Sequence, residues 1–194
     1  MRLDIILGPM FAGKSSAVIS RVRRAHALGW KTLLLTSELD TRYNVGKVSH
    51  VITHNKDRVD AVGVLRLMTC LGTPEYEEAR LIIIEEAQFF VDLVAFVLHA
   101  VEKSGKDVVV VGLDGDSDRQ PFGSLLELVP LADTVTKLTA LCKRCGDGTE
   151  ALFSAALKGK KTMGEILHVG GEESYEPLCR RHYLGRIGAS GDQG

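Results

Sequence analysis

Apolar residues along this chain fall in short blocks that alternate between two periods. Leu3 to Leu7 is an apolar run broken only by Asp4, and Ala17, Val18, Val22, Ala25 and Leu28 recur near helical spacing with Arg21, Arg23 and Arg24 on the other side. The spacing predicts a strand and then a helix over 15–28, stopped by Gly29. Lys31 to Thr36 is apolar without alternation, as in a strand covered on both faces of a parallel sheet. The polar stretch 37–46 reads as a flexible loop, 48–53 as a strand and 62–71 as a helix, with Gly72-Thr73-Pro74 breaking the chain before a short acidic helical turn. Leu81-Ile82-Ile83-Ile84 is a buried-strand pattern that runs directly into Glu85 and Glu86. An amphipathic helix over 92–103, a strand over 108–111 and a loop from Leu113 to Asp116 complete a rhythm that predicts an α/β fold, a mostly parallel sheet flanked by helices.

The first strand and first helix are joined by Gly8-Pro9-Met10-Phe11-Ala12-Gly13-Lys14-Ser15, which fits G-x-x-x-x-G-K-[ST]. Glycines at both ends let successive N–H groups turn inward, and the positive end of the following helix adds to their field. That arrangement suits phosphates, with Lys14 as a point charge on the outer ones, Ser15 on a magnesium ion and Ser16 next in the same nucleotide-binding stretch. Ligands of open parallel sheets gather at the carboxyl ends of the strands, so Glu85 and Glu86 are expected in the same crevice. Strand alternation points them to opposite sides and hence to different work, one toward magnesium and the other toward a proton on a nucleophilic hydroxyl. A solvated acidic strand end is the alternative.

Charge narrows the field further. With 24 basic and 25 acidic residues the net charge is −1, which gives no global attraction to nucleic acid or to an anionic membrane. No stretch has the length and apolarity of a membrane span or the form of a signal peptide, so a cytoplasmic protein is expected. Among four cysteines, Cys142-Lys143-Arg144-Cys145 and Cys179-Arg180-Arg181-His182 form two C-x-x-[CH] knuckles. Together they can close a tetrahedral Cys3His site, whose full set of protein ligands makes the zinc structural. A redox pair explains one knuckle and leaves the other idle. Cys70 reads as a small core residue, and His26, His50, His54, His99 and His168, which lack metal-ligand spacing, as structural or surface residues. The segment between the knuckles is expected to act as a lid, with Gly170 and Gly171 allowing backbone close to a ligand and Lys158 to Lys161 as a solvated turn. The expected organisation is a nucleotide-binding unit over 1–140, a metal-bearing unit over 141–185 and a flexible tail over 186–194.

Taken in order, these motifs resemble the thymidine kinases that carry a zinc-tethered lasso, over nearly the whole chain. The phosphate loop, Asp40-Thr41-Arg42-Tyr43, Glu85-Glu86-Ala87-Gln88-Phe89-Phe90, Leu113-Asp114-Gly115 with Arg119, Pro121, Phe122 and Gly123, the two knuckles, and Gly170-Gly171 with Tyr175 carry the resemblance. It implies a P-loop NTPase-like sheet with a small C-terminal zinc-binding lasso domain. It also implies transfer of the ATP γ-phosphate to the 5′-hydroxyl of thymidine with Mg²⁺ on the Ser15 and Glu85 side, in a homotetramer inhibited by thymidine triphosphate. By position Glu86 matches the catalytic base and Arg42 a residue near the transferred phosphate. Met10, Asp40, Phe89, Leu113, Phe122, Ser154 and Tyr175 match substrate-binding positions, and the main chain of His168, Val169, Gly170 and Gly171 matches the hydrogen-bonding edge for thymine. Three positions depart from the family pattern. Glu85 stands where Asp is usual, Ser117 replaces an aromatic residue, and Ser154-Ala155-Ala156 replaces a Thr-led triplet ending in Arg.

Overall fold

The computed structural model describes residues 1–38, 49–52, 58–157 and 174–188. Its centre is a seven-stranded sheet built from β1 (Arg2–Leu7), β2 (Thr32–Ser37), β3 (Ser49–Ile52), β4 (Arg58–Val64), β5 (Leu81–Ile84), β6 (Asp107–Gly112) and β7 (Thr134–Lys137). The order across the sheet is β3-β4-β2-β5-β6-β1-β7, with every pairing parallel except that of β3 with β4.

The unbroken apolar runs of β2, β5 and β6 are explained by what covers them. Leu33, Leu35, Ile82, Ile84, Val108 and Val110 pack on one face with Tyr76, Phe90, Leu93 and Phe96. Leu34, Ile83, Val109 and Val111 pack on the other with Val18, Val22 and Ala25 of helix α1 (Lys14–Ala27). Period-two side chains thus feed two cores at once, each fully buried Leu, Ile or Val stabilising the fold by roughly 1.5–3 kcal/mol. Asp4 interrupts β1 without loss because its buried carboxylate accepts from the Thr134 hydroxyl at 2.6 Å and pairs with Arg2 at 2.7 Å and Arg21 at 3.2 Å. Burial alone would raise its pKa, but the Thr134 and Arg2 hydrogen bonds and the charges of Arg2 and Arg21 outweigh that and hold it below the usual carboxylate range.

Several expectations change in detail. Residues 62–64 belong to β4, whose Val59, Ala61 and Gly63 alternate with charged or exposed positions. Only a short 3₁₀ turn, Leu67–Cys70, remains of the helix expected over 62–71. Cys70 is buried in the core as expected. The acidic turn is helix α2 (Pro74–Glu78), capped by Thr73. The helix expected over 92–103 is α3 (Leu93–Leu98) continued by a π-helical turn, His99–Lys103.

A second, smaller layer follows β7. Strands β8 (Ala140–Leu141) and β9 (Glu150–Ala151) pair, as do β10 (Phe153–Ala156) and β11 (Tyr175–Leu178), and helix α4 (Arg180–Gly188) closes the layer, running past the boundary expected after 185. Its core of Ala140, Cys142, Ala151, Ala155, Leu178, Cys179 and Tyr183 also receives Phe11 and Ala12 from the phosphate loop. The layer is therefore packed onto the first crossover of the large sheet.

Candidate functional site

Three strands deliver their carboxyl ends to one edge. In register, Leu7 of β1 lies beside Gly112 of β6 and Ile84 of β5 beside Val110, so the phosphate loop, Glu85 and Leu113 all leave the sheet together. Gly8 at the start of the loop has φ 152°, and a Cβ there would stand 2.4 Å from the Leu138 carbonyl oxygen. Only glycine lets that backbone pass. Gly13 caps α1 in the left-handed region, and Lys14, the first helical residue, donates from Nζ to the carbonyls of Gly8 at 3.2 Å and Pro9 at 2.7 Å. The ammonium thus sits curled over the loop's own rim.

The Ser15 hydroxyl donates to Glu85 Oε1 at 3.0 Å, and Glu85 is buried. The Glu85 side chain therefore reaches the serine of the phosphate loop. Strand alternation does not decide the orientation of Glu86, because β5 ends at Ile84 and Glu86 has φ 54°, a left-handed conformation sparsely populated by residues other than glycine. The half-buried Glu86 is separated from Glu85 by that turn, and Gln88 Nε2 donates to its Oε2 at 2.5 Å.

Around these groups stand the half-buried apolar residues that the sequence singles out. Phe89 and Phe122 meet edge to face with ring centroids 5.6 Å apart. The Ser154 hydroxyl on β10 accepts from the Met10 N–H at 2.8 Å, joining the phosphate loop to the smaller layer and leaving its own proton to donate elsewhere. Ala155 and Ala156 beside it are buried. Ser117 contributes its carbonyl, which accepts from the Tyr183 hydroxyl at 2.6 Å, while Arg119 stacks over the Tyr183 and Phe153 rings at 4.8 and 5.7 Å. Those contacts fix the 114–123 loop against α4, and no motif in the sequence announces them. Leu113 and Tyr175 lie at the ends of β6 and β11. Asp40, Arg42, His168, Val169, Gly170, Gly171, Lys158 to Lys161 and most of the loop expected over 37–46 lie outside the described residues. His26 and His99 bond to Thr32 and to Tyr76, in keeping with structural roles.

The two knuckles come together as expected. Cys142, Cys145 and Cys179 place their sulfurs 3.4, 3.4 and 3.5 Å from His182 Nδ1, and Cys145 and Cys179 sulfurs are 3.8 Å apart. A tetrahedron with Zn–S arms of about 2.3 Å and a Zn–N arm of about 2.05 Å has edges of roughly 3.8 and 3.5 Å, and with all four ligand atoms within 4.8 Å of one another the cluster fits a structural zinc. Burial pushes the Cys142 thiol up, yet hydrogen bonds from the Cys179 N–H, from His182 and from the Cys145 and Arg144 amides outweigh it and lower its pKa to about 6, which favours the thiolate a metal requires. Purified protein is expected to carry about one zinc per chain, and Cys145→Ser to lose it and loosen β10 and β11 far more than the large sheet. Elemental analysis with hydrogen exchange checks this. Metal-free protein with full protection in both layers would contradict it.

Comparison with known proteins agrees with this geometry. The thymidine kinase family model matches residues 1–183. A thymidine kinase of Oryza sativa subsp. japonica is 41% identical over 186 residues, spanning 94% of this chain and 66% of its own length. The cytosolic thymidine kinase of Homo sapiens is 39% identical over 186 residues, covering 94% of this chain and 73% of its own. A thymidine kinase of Vaccinia virus (strain Ankara) is 38% identical over 183 residues, covering 94% and 97%.

Proposed function

The chain belongs to the thymidine kinase family and is an ATP-dependent kinase of thymidine, and from that premise we propose how its residues divide the reaction. Residues 8–16 enclose the triphosphate, with loop amides and Lys14 on the outer phosphates. Ser15 and Glu85 hold magnesium, which when bound supplies charge neutralisation at the β- and γ-phosphates. Glu86 accepts the proton of the thymidine 5′-hydroxyl as that oxygen bonds to the γ-phosphorus, the bond to the β-γ bridging oxygen breaks, and ADP leaves. Arg42 serves the transferred group.

The base lies among Met10, Phe89, Leu113, Phe122 and Tyr175, which take its 5-methyl, while Ser154, Asp40 and the main chain of residues 168–171 serve its polar groups and the sugar. The observation that carries this reading is the Ser15–Glu85 hydrogen bond, since it brings a phosphate-loop hydroxyl and a carboxylate together at the strand end that Glu86 directly follows. It is supported by the packing of Phe11 and Ala12 on the metal-bearing layer, which brings that layer against the phosphate loop. Thymidine and 5′-deoxythymidine, which differ only in the hydroxyl at issue, test it. Phosphorylation of the first with no turnover of the second is expected, and a phosphorylated product from 5′-deoxythymidine would move the acceptor elsewhere.

The same reading divides the chain into a nucleotide-binding unit over 1–140 and a zinc-bearing unit over 141–185 with a tail over 186–194. It places the enzyme in the cytoplasm, in keeping with the cytosolic relative and with the lack, among the described residues, of a helix long and apolar enough to cross a membrane. Assembly as a homotetramer and inhibition by thymidine triphosphate belong to it as well.

A further inference from the structure

We propose that Gln88 is a positioning residue that aims the Glu86 carboxylate and ties it to the start of the nucleoside-side loop at Leu113. The inference rests on the reading of Glu86 as proton acceptor. Gln88 is 4% exposed, in the single turn Ala87–Phe89 that follows the left-handed Glu86. Its Nε2 donates to Glu86 Oε2 at 2.5 Å, and its Oε1 accepts from the Leu113 N–H at 3.0 Å. The amide has one orientation open to it, because a backbone N–H can only donate and an ionised carboxylate can only accept.

Packing holds the amide in that orientation. A Cβ on Gly112 would lie 2.5 Å from Gln88 Oε1, and one on Gly123, at φ 62°, would lie 2.2 Å from the Gln88 carbonyl oxygen. The side-chain amide is therefore held against the end of β6, and the backbone of Gln88 against the loop that carries Phe122. One carboxylate oxygen is held by a neutral donor, which helps to set the Glu86 rotamer without adding a charge to the group. Because the other end of the same amide grips Leu113, a movement of the nucleoside-side loop is transmitted to the carboxylate. Charged groups at this end of the sheet include, among the described residues, Lys14 on the phosphate loop, Glu85 beside Ser15, and Asp114 paired with Lys137 at 2.6 Å. Gln88 is a neutral hydrogen-bond donor to Glu86.

The test combines two substitutions with a cycle. Gln88→Leu is expected to lower kcat on the order of 10²-fold, the scale of a misplaced catalytic group, with KM for thymidine and ATP nearly unchanged. In a Glu86→Gln background the same change is expected to cost little, since there is no base left to aim. Gln88→Glu keeps the shape and the Leu113 contact but sets two carboxylates in hydrogen-bond contact. While the introduced acid keeps the shared proton it still donates to Glu86 and accepts from Leu113. Once that proton is lost, two carboxylates repel and no donor aims the base, so kcat should fall by up to about tenfold per pH unit as pH is raised through the pair's titration, a fall absent from the wild type. Equal losses from Gln88→Leu in both backgrounds, or a Gln88→Glu enzyme with the wild-type pH profile, would overturn the inference. If Gln88→Leu does not fold, the pH profile of Gln88→Glu decides. Wild-type rates in Glu86→Gln would instead remove the proton-acceptor reading itself, and the inference with it.

Discussion

Glu86→Gln is expected to suppress phosphoryl transfer on the order of 10²- to 10⁴-fold while leaving nucleotide binding nearly intact, the usual range for loss of a general base. An amide of the same shape fills the turn after β5 but takes no proton from a 5′-hydroxyl. Glu85→Gln should behave differently. Its amide oxygen can still accept from Ser15, whose hydroxyl now meets the carboxylate at 3.0 Å, so the local structure survives while the negative charge is lost. The expected result is a raised magnesium requirement, partly restored at high magnesium. Titration of magnesium against rate for each variant, with nucleotide affinity measured separately, distinguishes the two. Activity in Glu86→Gln together with complete loss in Glu85→Gln at saturating magnesium would reverse the roles.

Lys14→Ala should leave a folded protein whose kcat falls on the order of 10²- to 10³-fold, the scale for losing one preorganised contact to developing charge. The side chain reaches back over the loop rather than into either core. Helix α1 is anchored instead by Val18, Ile19, Val22 and Ala25. Thermal unfolding and circular dichroism should therefore stay close to wild type, and a folded Lys14→Ala protein with undiminished turnover would remove the phosphate-loop assignment.

The parts of this architecture legible in the sequence are those in which one physical cause acts over many residues. The apolar runs of β2, β5 and β6 announce burial on both faces, and the phosphate loop announces itself because its glycines, lysine and serine must stand at fixed spacing between a strand and a helix. The knuckles are readable for the same reason, since a tetrahedral metal demands paired ligands. What escaped is short or turns on a single dihedral. Strands of two residues such as Ala140–Leu141 and Glu150–Ala151 carry no period. The alternation of Arg58–Val64 is hidden in the sequence because its exposed Val62 is apolar, and its last residues merge with the apolar Leu65, Leu67 and Met68 to mimic a helix. Glu86 departs from alternation because the strand has already ended, and no propensity in Glu-Glu-Ala-Gln forecasts a φ of 54°. Gln88 had one available signal, a polar residue two positions after a carboxylate in an otherwise apolar segment. Its bond to Leu113 spans 25 residues and depends on the sheet order.

The most direct measurement follows the γ-phosphate itself. Protein, magnesium and ATP labelled at the γ-position are incubated with thymidine, uridine, deoxycytidine or no nucleoside, and labelled nucleotide and released phosphate are quantified. A thymidine kinase whose Glu86 takes its proton from a bound nucleoside predicts label on thymidine in preference to the other two, very little phosphate release without nucleoside, and loss of the labelled product in Glu86→Gln. ATP hydrolysis at one rate with or without thymidine, with no labelled nucleotide formed, would contradict it.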